Sequence, residues 1–151
     1  MRIIIHKGDR TLHLQDGDRV LLAAPIALGR VPQGAKTHEG DGKTPEGVYA
    51  VCLVKPDGKF GRSLGVSYPS LADARAALAA GAIGGDAFQA ITDALDHGRR
   101  PPWGTALGGE IYIHEGGADG DWTEGCIALN EADMDVLFPH RALIESVEIL
   151  P

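Results

Sequence analysis

The sequence predicts a mainly β domain with two or three peripheral helices, folded as a curved mixed sheet into a sandwich or barrel-like shape. Apolar residues alternate with polar ones near both ends of the chain, which is the period of half-buried strands. Helical spacing of apolar residues is confined to the middle of the chain and to a short segment after Asn130. No linker is long enough to separate two units, so we expect one domain over residues 1–151.

The N-terminal residues predict a β-hairpin and a third strand. The hairpin turns at residues 8–9, and its alternating apolar side chains predict one buried face. These side chains belong to Ile3, Ile5, Leu12 and Leu14. His6 and His13 fall on the opposite face, where we expect solvent-facing side chains rather than metal ligands. A turn at residues 15–18 then leads into a strand predicted over 19–29.

A loop dense in glycine, proline and charge follows at residues 32–47 and leads into a strand predicted over 48–54. This strand contains Cys52, which we interpret as a buried core thiol because its neighbours are apolar. The chain has two cysteines, and a bridge from Cys52 to Cys126 is allowed by their number. We prefer two free thiols, because a bridge would consume the one candidate nucleophile. The strand is expected to end in a turn at residues 55–59.

The middle of the chain predicts two helices. Ser70 and Asp73 have the spacing of a capping box, which predicts the start of a helix over residues 71–80. A second helix is indicated by apolar residues that share one face, and Gly98 ends it. The residues on that face are Phe88, Ile91 and Leu95.

The last third of the chain returns to strands around one further helix. We predict strands over residues 108–114 and 143–150. Asn130 is the expected N-terminal cap of the helix between them. The side chains of that helix expected to face the core are Met134, Leu137 and Phe138.

The composition excludes several classes of function. The formal net charge is −7 and the pI is about 5.2, so the chain offers no basic surface for nucleic acid. No apolar run reaches the roughly 18 residues that a membrane span needs. Met1 leads directly into a strand without the pattern of a signal peptide. We therefore expect a cytoplasmic protein, or one of the cell envelope if an export segment has been removed, and the oligomeric state stays open.

One segment combines a histidine and a cysteine on neighbouring elements. His114 ends a predicted strand, and Cys126 follows after a loop over 115–125 that is rich in glycine and acid. A nearby imidazole activates a thiol as a nucleophile near neutral pH. Gly125 permits a tight turn, in which its N–H and that of Cys126 are expected to face a developing oxyanion. Thr123 either contacts the thiol or bonds its own backbone, and both interpretations stay open.

Two other classes of function compete with a thiol enzyme. A metallohydrolase is suggested by the His, Cys, Asp and Glu residues that cluster over 114–126, but no H-E-x-x-H or paired C-x-x-C motif accompanies them. We therefore predict no metal and no other cofactor. A binding module without activity is suggested by Glu124, because a carboxylate beside Cys126 opposes thiolate formation.

Three segments resemble one known family. IHEG at residues 113–116, followed by DWTEGCIAL at 121–129, resembles the active-site signature of the L,D-transpeptidase catalytic domain, also called the YkuD-type domain. GDGKTPEGVY at 40–49 is similar to another segment of that domain, and FGRSLGVSYP at 60–69 resembles its YafK-like branch. The resemblance runs over residues 2–150 in order, and it implies an L,D-transpeptidase-like fold.

The resemblance implies a specific reaction. Cys126 would attack the carbonyl of meso-diaminopimelate in a peptidoglycan stem peptide or muropeptide, and D-alanine would leave. The resulting thioester is resolved by an amine in a transpeptidase, or by water in a cytoplasmic L,D-carboxypeptidase that trims recycled muropeptides. His114 would be the base and acid, oriented by a backbone carbonyl that we expect at Gly116 or Gly117. A carbapenem would acylate Cys126.

The chain departs from the family pattern beside the cysteine. Many members carry His immediately before the Gly-Cys pair and Arg two residues after the cysteine, where this chain has Glu124 and Ala128. Another cation is therefore needed for a substrate carboxylate, and the candidates are Arg62, Lys43 and Lys36. Trp122 either walls the cleft or packs in the core. The remaining predicted substrate-binding residues are Gly116 and Tyr68. We expect the cleft between residues 36–47, 60–69 and 114–126.

Overall fold

The computed structural model describes residues 1–151 and arranges nine strands in two sheets. The strands are β1 (Arg2–His6), β2 (Thr11–Asp16), β3 (Arg19–Pro25), β4 (Gly47–Tyr49), β5 (Val51–Gly58), β6 (Gly61–Val66), β7 (Tyr112–His114), β8 (Ile127–Ala128) and β9 (Ser146–Leu150). One sheet has the order β3-β2-β1-β9-β4 and the other β5-β6-β7-β8. Both mix parallel and antiparallel pairs, so the predicted mainly β, mixed architecture is confirmed.

The N-terminal hairpin has the predicted register. Ile3 lies opposite Leu14 and Ile5 opposite Leu12, and all four side chains are fully buried. The next strand, β3, is shorter than predicted and ends at Pro25. Beyond it the chain makes only isolated bridges, because Gly29 passes so close to Gly42 that a Cβ there would lie 2.2 Å from the Gly42 carbonyl oxygen. The predicted strand over 19–29 is therefore wrong at its C-terminal end.

The single strand predicted over 48–54 is two strands in two different sheets. The chain leaves β4 and enters β5 at Ala50, whose N–H donates to the Ser67 hydroxyl at 2.8 Å. Strand β5 then continues through the predicted turn at 55–59 as far as Gly58. Cys52 is half-buried rather than fully buried, and both cysteines are free thiols. Apolar runs do not reveal a change of sheet, because both segments bury side chains against the same core.

The helices lie in the segments in which the sequence predicted them. They are α1 (Leu71–Ala79), α2 (Gly85–Asp96) and α3 (Glu131–Leu137), followed by a 3₁₀ turn over Phe138–Leu143. The capping box of α1 is present, with Ser70 and Asp73 bonded to each other's backbone. Asn130 precedes α3, but its side chain accepts from the Ala118 N–H instead of capping the helix. None of the three helices has the length and apolar character needed to cross a bilayer.

The long loop between β3 and β4 is held against the sheets by a buried cation. Lys7 is 2% exposed, and its ammonium group donates to the carbonyls of Gly34 and Thr44 and to the Glu46 carboxylate, at 2.8–2.9 Å. Of the strand predicted over 108–114, only Tyr112–His114 forms a β-strand, and residues 108–111 are irregular. Residues of the long loop and of the irregular segment before Tyr112 line the same cleft.

Candidate active site

A cleft of about 480 Å³ contains both Cys126 and His114 among its lining residues. Its walls come from the loop near Lys36, from the tip of the β5–β6 hairpin, from residues 109–114 and from residues 124–126. Strands β7 and β8 are parallel neighbours, with Ile113 opposite Ile127. This register places Cys126, the residue before β8, beside Tyr112, whereas His114 lies two residues further along β7 beside Ala128. Because side chains alternate along a strand, residues two positions apart point to the same face of the sheet.

The Cys126 thiol is held by two backbone groups. Its Sγ accepts from the Tyr112 N–H at 3.3 Å and donates to the Glu110 carbonyl at 3.4 Å. Burial raises the pKa of the Cys126 thiol above the ordinary cysteine value, and the Glu110 carboxylate adds to that increase. The Tyr112 N–H and the Lys36 charge oppose it. These effects favour the neutral thiol over the thiolate at pH 7.

The His114 imidazole is fixed in one tautomer. It is 2% exposed, and its Nδ1 bonds to the backbone carbonyl of Glu115. A carbonyl oxygen only accepts, so Nδ1 carries the proton and Nε2 keeps its lone pair. Burial lowers the pKa of His114, which keeps the ring neutral at pH 7. The orienting carbonyl is that of Glu115, so the expectation that it would be that of Gly116 or Gly117 is wrong. The Gly117 carbonyl accepts from the Trp122 indole N–H instead.

Two aromatic rings enclose the imidazole. Phe60 stacks on His114 with ring centroids 4.8 Å apart and an interplanar angle of 21°. Trp122 meets the same ring edge-on at 5.7 Å. Together they cover two sides of the ring and so contribute to the burial that lowers the pKa of His114. Phe60 lies in the 60–69 segment that was expected to border the cleft, but its contact with His114 was not predicted, because it comes from a hairpin tip more than fifty residues away in the sequence.

A tight turn presents the cysteine. Gly125 has φ +135°, and a Cβ there would lie 2.7 Å from the Lys43 carbonyl oxygen, so only glycine fits without strain. The Thr123 hydroxyl accepts from the Gly125 N–H at 3.1 Å and donates to the Cys126 carbonyl at 2.7 Å. Of the two interpretations that the sequence left open for Thr123, these hydrogen bonds support the one in which its hydroxyl bonds the backbone of its own turn. The Gly125 N–H is engaged by this bond, whereas the Cys126 N–H donates no hydrogen bond.

Of the cations considered for substrate binding, only Lys36 lines the cleft. Its side chain is 4% exposed, and its ammonium group donates to Asp41 and to the His38 carbonyl, each at 3.0 Å. Arg62 lies outside the cleft and pairs with the carboxylates of Glu115 and Asp135. Lys43 also lies outside, with its side chain alongside Gly34.

The other three predicted substrate-binding residues do not line the cleft either. Tyr68 is fully buried, and its hydroxyl donates to the Leu107 carbonyl at 2.9 Å. Trp122 packs against Phe60 and His114, and Gly116 leaves room for the Trp122 ring. The sequence instead missed two cleft lysines at residues 55 and 59, because both were assigned to an exposed turn.

We expect Tyr68→Phe to affect stability rather than chemistry. Loss of the hydroxyl leaves the buried Leu107 carbonyl without its donor and lowers the free energy of unfolding by about 1–3 kcal/mol. Urea denaturation of wild type and variant measures this difference. Acylation of Cys126 by imipenem should change less than about twofold, since Tyr68 lies outside the cleft. A large loss of acylation with unchanged stability would contradict this assignment and support the original prediction that Tyr68 binds substrate.

No three His, Cys, Asp or Glu side chains are arranged to hold a metal ion. Two acids of the 114–126 segment are committed elsewhere, since Glu115 pairs with Arg62 and Asp121 with Arg10. Glu124, which the sequence places beside the cysteine, pairs with Arg30 at 2.9 Å.

The chain thus combines two mixed sheets with a cleft that is lined by a histidine and a cysteine. The profile of the YkuD family, the L,D-transpeptidase catalytic domain, matches residues 1–149. The chain belongs to this family, and the resemblance seen in its motifs is confirmed. No curated protein sequence matches the chain.

Solved structures show the same fold. The helical cell shape determining protein Pgp2 from Campylobacter jejuni has a TM-score of 0.64 and 24% identity, over 97% of this chain and 46% of that one. An L,D-transpeptidase from Xylanimonas cellulosilytica has a TM-score of 0.55 and 14% identity, over 98% and 59%. LdtMt1 in complex with imipenem has a TM-score of 0.51 and 11% identity, over 98% and 57%. This chain therefore spans about half the length of these proteins.

Proposed function

We propose that this chain is a cysteine-dependent peptidoglycan L,D-transpeptidase-type enzyme that acts on the meso-diaminopimelate–D-alanine bond through a thioester. The observation that supports it most is one cleft lined by the Cys126 thiol and by a neutral His114. The Nδ1 atom of His114 is hydrogen-bonded to the Glu115 carbonyl, so Nε2 is the nitrogen available for proton transfer. Membership of the family supplies the class of substrate.

The reaction begins when the thiol S–H turns from the Glu110 carbonyl, to which it donates in the resting site, towards Nε2 of His114. The proton is transferred to Nε2 as the sulfur attacks the carbonyl of meso-diaminopimelate. The unengaged Cys126 N–H donates to the oxyanion of the tetrahedral intermediate. The imidazolium then gives its proton to the departing amine of D-alanine, and the thioester remains on Cys126. An acceptor amine or a water molecule, deprotonated by the same His114, attacks the thioester and restores the thiol.

The directions of the two pKa shifts favour general-base catalysis over a preformed ion pair. Burial raises the pKa of Cys126 and lowers the pKa of His114, and each change stabilises the neutral partner. The sulfur therefore loses its proton during attack rather than before it. A binding module without activity would need no base at this position, and the carboxylate of Glu124 that suggested such a module is paired with Arg30.

We expect alkylation of Cys126 by iodoacetamide to accelerate with pH and to level off only above the ordinary cysteine pKa of about 8.5. The acid limb of kcat/KM should lie below the ordinary histidine pKa of 6.5, since the base stays neutral down to its lowered pKa. A Cys52→Ala background restricts the alkylation signal to one thiol. A plateau of alkylation already reached below pH 7 would contradict the neutral pair and indicate a thiolate–imidazolium pair.

The function is tested by incubating the protein with a disaccharide tetrapeptide and analysing the products by mass spectrometry. Crosslinked dimers together with D-alanine identify a transpeptidase. Free D-alanine with tripeptide and no dimer identifies the L,D-carboxypeptidase alternative, which acts on muropeptides. Absence of both products with all acceptors tried, and of any imipenem adduct on Cys126, would contradict both activities.

A further inference from the structure

The ion pair between Arg62 and Glu115 lies just outside the cleft and is not used in the reaction steps above. Arg62 belongs to β6, and Glu115 directly follows β7. One oxygen of the Glu115 carboxylate accepts from the Arg62 backbone N–H at 2.5 Å, and the other accepts from its guanidinium at 2.6 Å. Because both oxygens are bound, the Glu115 side chain is held in one orientation. The two side chains are 26% and 14% exposed, so water screens the pair only in part.

The backbone at Gly61 leaves room for the Glu115 carboxylate. Gly61 has φ +87°, and a Cβ there would lie 2.3 Å from the Glu115 Oε2 atom, so a larger residue would displace the carboxylate. The hydrogen bonds from Arg62 hold the pKa of Glu115 below its usual value, which keeps the carboxylate ionised. Asp135 in α3 pairs with the same guanidinium nitrogen, Nη2, at 2.8 Å, and its side chain is 65% exposed.

The ion pair connects two groups that contact the catalytic imidazole. The backbone carbonyl of Glu115 accepts the Nδ1–H bond of His114, so its position depends on where the Glu115 side chain is held. Phe60 lies two residues before Arg62 and stacks on His114. A single salt bridge therefore joins the hairpin tip that carries the stacking ring to the residue that carries the acceptor carbonyl.

We propose that Arg62 and Glu115 are positioning residues for His114. Their ion pair holds the Glu115 carbonyl and the Phe60 ring in place, and these in turn keep the imidazole in the tautomer with its proton on Nδ1. The sequence predicted that Arg62 binds substrate. In this proposal it instead supports the base, His114, through its ion pair with Glu115. The catalytic meaning of this arrangement rests on the proposed function, whereas its effect on the imidazole does not.

The test compares Arg62→Gln and Glu115→Gln with the control Asp135→Asn, which removes the exposed partner of the same guanidinium. Glu115→Gln is nearly isosteric, but its NH2 group only donates, so the bond that one of the two carboxylate oxygens accepts from Arg62 is lost. We expect both glutamine variants to lower kcat by roughly 10- to 100-fold with KM nearly unchanged, because a misplaced base slows proton transfer without changing substrate contacts. Asp135→Asn should stay within about twofold of wild type.

A second readout does not require turnover. Titration of the His114 ring by ¹⁵N NMR should show the Nδ1–H tautomer in wild type and in Asp135→Asn. In the two glutamine variants the Nε2–H tautomer should appear, and the pKa of His114 should rise toward 6.5 as the ring becomes more solvated. Thermal unfolding confirms that each variant is folded before it is assayed.

The outcomes separate the two proposals. If wild type gives neither turnover nor an imipenem adduct, the proposed function fails, and the NMR titration still decides the positioning role. If folded Arg62→Gln and Glu115→Gln keep the wild-type tautomer and titration, the positioning role is overturned. Loss of kcat in these variants with an unchanged His114 titration overturns it as well, because the effect would then arise elsewhere.

Discussion

Replacement of Cys126 by alanine is expected to abolish the imipenem adduct and to lower kcat by roughly 10⁴-fold or more, since Cys126 is the only thiol that lines the cleft. The substitution removes one sulfur atom from a half-buried site and leaves the turn closed by Thr123 intact, so the fold should persist. Intact-mass analysis after incubation with imipenem and steady-state turnover of disaccharide tetrapeptide measure the two effects.

Cys52 provides the matched control for this experiment. It is the second free thiol of the chain and lies on β5 outside the lining of the cleft. Cys52→Ala should form the adduct at the wild-type rate and retain turnover. An adduct that persists in Cys126→Ala and disappears in Cys52→Ala would identify Cys52 as the reactive thiol and refute the assignment of Cys126 as the nucleophile.

Replacement of His114 by glutamine is expected to lower the rate of acylation by about 10²- to 10⁴-fold at neutral pH. Burial raises the pKa of the Cys126 thiol, so without a base the sulfur stays protonated and weakly nucleophilic. Glutamine retains an amide in place of the ring and leaves less of a void between Phe60 and Trp122 than alanine would. Stopped-flow acylation by imipenem reports the chemical step directly.

The pH dependence distinguishes a missing base from a damaged site. The acylation rate of His114→Gln should continue to rise with pH beyond about 8.5, because hydroxide then ionises the thiol and replaces the base. His97→Gln is the control, since this histidine is exposed at the end of α2. A rate in His114→Gln that equals that of the control at pH 7 would eliminate His114 as the general base.

Much of the fold was open to prediction because local patterns carry it. The alternating residues of the hairpin and the capping box of α1 each depend on neighbours within a few positions, and both appear in the structure as predicted. The change of sheet at Ala50 was not predictable, because an apolar run has the same pattern whether it stays in one sheet or enters a second one. The end of β3 at Pro25 likewise depends on the close approach of Gly42 to Gly29, which a local pattern does not encode.

By itself, the sequence determined which family the chain belongs to and which histidine and cysteine are its candidate catalytic pair, because motif spacing and the order of segments are properties of the chain. Only the tertiary structure decided how these residues are supported. The Glu115 carbonyl, the Phe60 ring and the buried Lys36 reach the site from separate loops. Arg62 was assigned to the substrate and is paired with Glu115 instead, since a side chain's partner is set by which strands are neighbours rather than by its place in a motif.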